Sequence, residues 1–73
     1  MQCYEYLAAI TAVSNTLDTL PGIDHKLPPS VIADWMAVND VEAEDVLFAP
    51  RDELINRMES LIRENQPRIR FAA

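Results

Sequence analysis

The sequence predicts an all-α protein, a small bundle in which two longer helices (about 3–18 and 50–65) enclose two short ones (about 31–38 and 41–48). Three observations carry this. Apolar residues recur at alternating spacings of three and four in two separate stretches. Pro21-Gly22, Pro28-Pro29, Pro50 and Pro67 fall between the periodic stretches rather than inside them. Residues able to cap a helix precede the shorter segments.

In the first stretch Cys3, Tyr6, Ile10, Val13, Leu17 and Leu20 form the stripe, widened by Leu7 and several Ala. Thr11, Val13, Thr16 and Thr19 are β-branched and lower intrinsic helicity, so this helix needs packing to hold. Pro21 disfavours the helical conformation at Leu20 and Gly22 follows, which ends the helix near Asp18 or Thr19. A loop runs to Pro29. Ser30 is a suitable N-cap for a two-turn helix over Val31 to Val38, whose apolar residues are Val31, Ile32, Trp35, Met36 and Val38. Asn39 with Glu42 three residues later has the form of a capping box, and Asp40, Glu42, Glu44 and Asp45 suit the positive end of a helix over Val41 to Phe48. Pro50 suits a first helical position. From there Leu54, Ile55, Met58, Leu61 and Ile62 form a clean apolar face up to Asn65. Pro67 stops this helix, so residues 1–67 read as a single helical domain and 68–73 as a short basic tail.

The 73 residues include 12 acids and 6 bases, a net charge of −6, with one Cys, one His and one Gly. The length allows one domain. A domain this small buries only about 60% of the surface its unfolded chain exposes, so a partner would add needed stability. Cys3 alone makes no internal disulfide, and the sequence has no metal-ligand spacing, so neither cofactor nor metal is expected. No apolar run approaches the roughly 20 residues of a bilayer span, and no signal-peptide pattern opens the chain, which predicts a cytoplasmic protein that does not engage membranes. Residues 1–50 carry eight acids against Lys26 alone, whereas residues 51–73 carry five Arg against four acids.

Chemistry-bearing patterns are sparse. Asp24, His25 and Ser30 have the residue types of a hydrolytic triad, but a Pro-rich loop supplies neither a nucleophile elbow nor an oxyanion hole. Glu42 with Asp45, or Glu44 with Asp45, would need a pocket to shift one carboxyl before doing acid-base work. Gly22 sits in no phosphate-binding motif. No catalytic role is expected.

The segment Ile32 to Asn39, continuing to Val46 and Leu47, resembles the hydrophobic frame of a helix-turn-helix over about 18 residues. Ala37 stands where Gly is common, and Ala43 where a larger aliphatic residue is usual. That resemblance implies a DNA-binding transcriptional regulator. The second helix would nevertheless carry Asp40, Glu42, Glu44 and Asp45 with no Lys or Arg, so phosphates would be repelled.

The same acids present a negative surface to a basic partner or imitate nucleic acid, while their ordinary role is solvation. The leading functional expectation is therefore a stoichiometric regulator or inhibitor of a larger protein. Its contact residues would be Asp40, Glu42, Glu44 and Asp45, with Trp35, Met36 and Phe48 as anchors unless they form the core. Size and acidity suit a phage or mobile-element inhibitor of host nucleic-acid-handling machinery. The first stripe, with Tyr6, Ile10, Val13 and Leu17 inward, fits either a homodimer seam or packing against the last helix. In the tail, Arg68, Arg70 and Phe71 would contact a partner in extended form or stay disordered.

Overall fold

The computed structural model describes residues 3–71 and is predominantly helical, with four helices and one small sheet. Helix α1 spans Cys3–Thr19, strand β1 Ile23–His25, α2 Pro29–Val38, α3 Ala43–Leu47 and α4 Arg51–Glu64; a 3-10 turn over Gln66–Arg68 leads into strand β2, Ile69–Phe71.

Helix boundaries follow local chemistry. In α1 the Thr16 hydroxyl donates to the Ala12 carbonyl and that of Thr19 to Thr16, so two β-branched residues satisfy themselves on the helix they would otherwise weaken. Pro21 and Gly22 then form a tight turn closed by the Ile23 N–H on the Leu20 carbonyl. Gly22 has φ 80°, the left-handed conformation that a type II turn requires at its third residue. Helix α2 starts before the expected Ser30: Pro28 is the N-cap and Pro29 occupies the first turn, where its missing N–H costs nothing. At α4, Pro50 is the N-cap rather than the first helical residue, and Asn65 is the C-cap.

The connection from α2 to α3 is a Schellman motif. Asn39 is the C-cap, Asp40 adopts φ 53°, and the Val41 N–H reaches back to the Met36 carbonyl at 2.8 Å. Val41 and Met36 are both buried, which supplies the hydrophobic contact that accompanies this motif. Asn39 therefore closes α2, its side-chain amide donating to the Trp35 carbonyl at 2.9 Å, and does not open α3. The reciprocal pairing expected of Asn39 and Glu42 occurs three residues later. Glu42 is the N-cap of α3, and the Asp45 carboxylate accepts its N–H at 2.9 Å.

One core joins the four helices and β2: Ala9, Ile10, Val13 and Leu17 of α1, Ile32, Trp35 and Met36 of α2, Val46 of α3, Leu54, Met58 and Leu61 of α4, Ile69 of β2, and Leu27 and Val41 between elements, with Ile23 of β1 packed against it. Helix α1 approaches α3 most closely, then α2 and β1. The stripe of α1 and the apolar face of α4 meet in that core, Ile10, Val13 and Leu17 with Leu54, Met58 and Leu61, as the packing alternative expects, and α3 lies against α1 as well. At the ends of the two long helices the Arg51 guanidinium donates to the Thr19 hydroxyl at 2.8 Å.

The sheet departs from the all-α reading. Strands β1 and β2 pair antiparallel, with Ile23 opposite Phe71, Asp24 opposite Arg70 and His25 opposite Ile69. The Lys26 N–H continues the pairing to the Arg68 carbonyl at 3.3 Å. Ile69 is 2% exposed, so this part of the expected tail belongs to the core, and Pro67 lies within a tight turn over Gln66–Arg68 rather than opening a free end. Residues 72–73 lie outside the described part. Among the described residues, no helix is long and apolar enough to cross a membrane.

Candidate functional site: an exposed phenylalanine with an acidic rim

Helix α3 is too short to bury both of its sides. Val46 turns into the core, whereas Phe48, the C-cap residue, is 81% exposed. Phe48 shares a shallow depression of about 180 Å³ with Glu44, Asp45, Ala49, Glu53 and Arg57. Three carboxylates and one guanidinium thus surround an aromatic ring that has no place in the core. Leu47, also partly exposed, adjoins it in sequence.

The four acids of the Asp40 to Asp45 segment have different duties. Asp40 supplies the left-handed residue of the Schellman motif, Glu42 is an N-cap, and the Asp45 carboxylate is bonded to the backbone. Glu44 alone has no part in closing either helix. Three of the four are accordingly accounted for by backbone geometry, although Asp40, Glu42 and Glu44 remain exposed and contribute charge. Glu53 and Arg57 of α4 were not among the expected contacts. They sit one turn apart on a helix read for its apolar face, and only the bend at Phe48-Ala49 brings them beside Phe48.

Trp35 and Met36 are not surface anchors. Trp35 is 4% exposed and donates its indole N–H to the Ser60 hydroxyl at 2.9 Å, while Met36 is fully buried. An amphipathic α2 turns these two residues inward because each flat or flexible apolar side chain gains more from core burial than from solvent contact. The dimer seam is likewise consumed within the chain. Ile10, Val13 and Leu17 are core residues, and the Tyr6 hydroxyl donates to the Ala33 carbonyl of α2 at 3.0 Å. The side chain of Cys3 lies outside the described residues.

Asp24, His25 and Ser30, read as a Pro-rich loop without a catalytic role, do not converge. The His25 side chain is 6% exposed; its Nδ1 accepts the Leu27 N–H at 3.4 Å, and its Nε2 lies 2.8 Å from an Asp18 carboxylate oxygen. That oxygen is off the ring's N–H direction, so the contact is electrostatic rather than an aligned hydrogen bond. Asp24 projects from the opposite face of β1, and Ser30 makes no bond to His25. Among the described residues no group of three or more His, Cys, Asp or Glu side chains is arranged to hold a metal ion.

In the helix-turn-helix frame, Ala37 is the turn position, yet it lies inside α2 and the left-handed residue is Asp40. Helix α3 has five residues, including Glu44 and Asp45 and no cation. No family model matches the chain, and no curated protein or solved structure is significantly similar to it.

Proposed function

We propose that this protein is a stoichiometric binding module, a regulator or inhibitor of a larger protein, that docks through Phe48 and its carboxylate rim. The observation that carries the reading is the 81% exposure of Phe48 beside Glu44, Asp45 and Glu53. Burying an exposed Phe in a partner's pocket supplies about 1.5–3 kcal/mol. A charged rim adds orientation and encounter rate. The partner surface with matching chemistry has an apolar pocket bordered by Lys or Arg, as the binding faces of nucleic-acid-handling proteins do. No residue arrangement here motivates turnover of a substrate.

The test is affinity for the isolated partner. Phe48→Ala and the double variant Glu44→Lys, Glu53→Lys should each weaken binding by at least about tenfold, an ordinary loss for a central aromatic anchor. Glu42 and Asp45 are left unaltered because they close α3. Unchanged affinity in both variants overturns the proposal.

A DNA-binding regulator is the second reading, favoured by the seating of both α2 and α3 against α1. It requires sequence-selective retention of duplex DNA that weakens steeply with salt. The acidic α3 opposes it.

A further inference from the structure

We infer that the outer face of the β1–β2 sheet is a binding site for a phosphomonoester dianion. Antiparallel pairing turns Asp24 and Arg70 to the face opposite the core, and the continued pairing brings Lys26 alongside Arg68. These four residues, with Pro28 and Pro67, line a depression of about 380 Å³. Half of the chain's six cations, including its only Lys, therefore meet at one place in a protein of net charge −6.

Three features select the ligand. None of the three cations has a carboxylate within ion-pair distance or a side-chain hydrogen bond among the described residues, although Asp24 lies in the same lining. Their charges exceed that of Asp24 by two, which matches a phosphomonoester carrying about −1.5 to −2 at neutral pH. Arg68 and Arg70 supply planar donor forks suited to phosphate oxygens, and Lys26 a compact charge.

The anion is compact rather than polymeric. Outside this depression the chain is more negative than its total of −6, and an extended polyanion would run onto that surface within a Debye length of about 10 Å. The volume lies near the lower end of the range of about 300–1,000 Å³ for small-molecule sites, enough for the phosphate and part of the group that bears it. The proline rings give that group apolar walls. This site uses other elements than the Phe48 depression and stands independently of it.

The experiment is an amide-resolved NMR titration of the full chain with inorganic phosphate, O-phosphoserine and adenosine monophosphate, each at millimolar concentration. Serine O-sulfate serves as a monoanionic control. Saturable shifts confined to residues 24–30 and 66–71 are expected, with weaker response to the sulfate ester. Arg70→Gln and Lys26→Gln should each lower affinity on the order of tenfold, whereas Arg63→Gln should leave it unchanged. The tightest of the three probes identifies the source as free phosphate, a phosphorylated side chain or a nucleotide. The spectra of the variants report whether each is folded. Absence of saturation with all three probes, an equal response to serine O-sulfate, or an equal loss in Arg63→Gln overturns the inference.

Discussion

The indole N–H of Trp35 donates to the Ser60 hydroxyl across 2.9 Å, tying α2 to α4 by a single side-chain bond. The donor is nearly enclosed, so removing its acceptor leaves a polar group away from water. Ser60→Ala is expected to cost about 1–3 kcal/mol in urea unfolding. Trp35→Phe leaves a cavity in the core and costs stability of its own, but combined with Ser60→Ala it should cost less than the sum of the two single changes, because no donor is then stranded. A purely additive pair would show that the bond contributes nothing specific.

Asp40 occupies a left-handed backbone conformation that glycine adopts without strain. Asp40→Gly should stabilise the fold by up to about 1 kcal/mol, and Asp40→Val should destabilise it, since a β-branched side chain is poorly accommodated there. Thermal unfolding of the two variants checks the sign.

The contrast between Glu44 and Asp45 separates charge from fold. Asp45→Ala should lower stability by about 0.5–2 kcal/mol through loss of its bond to the Glu42 N–H. Glu44→Lys, at an exposed position with no such bond, should stay within about 0.5 kcal/mol of the parent. Partner binding should respond in the opposite order.

Ile69 and Phe71 belong to one strand but differ in burial. Ile69→Ala should cost about 2–5 kcal/mol, whereas Phe71→Ala, at the more exposed end of β2, should cost less than half as much. Equal small effects would mean that β2 adds little to the core.

His25 and Asp18 link β1 to the last turns of α1. Asp18→Ala should lower stability by no more than about 1 kcal/mol, because the carboxylate is largely solvated and its contact with the ring is misaligned. Urea unfolding midpoints of Asp18→Ala and Asp18→Asn measure it. A loss well above that bound would show that His25 depends on Asp18 for its place in the fold.

Helix positions were legible because they depend on neighbours within four residues. The spacing of Ile10, Val13 and Leu17, the face of Leu54, Met58 and Leu61, and the breaks at Pro21 and Pro67 all act locally, and the helices start and stop within about two residues of these signals. The caps were harder to place. Asn39 and Glu42 both have side chains suited to the start of a helix, and the choice between them rested on whether Val41 could bury itself beside Met36. The same limit applied to the candidate site: Phe48 was marked by its residue type, but Glu53 and Arg57 join it only through the bend between α3 and α4.

By itself the sequence determined the helical character, the four helical segments and the acidic balance, because propensity, periodicity and charge are properties of short stretches or of the whole composition. The tertiary structure decided the rest: that Trp35 and Met36 face inward, that Ile10, Val13 and Leu17 serve this chain's own core, and that Ile69–Phe71 pairs with Ile23–His25. Those outcomes depend on contacts between residues far apart in the chain, where burial of one apolar face against another outweighs the preference of any single segment. The meeting of Lys26 with Arg68 and Arg70 belongs to the same class, since more than 40 residues of chain separate cations that one strand pairing places side by side.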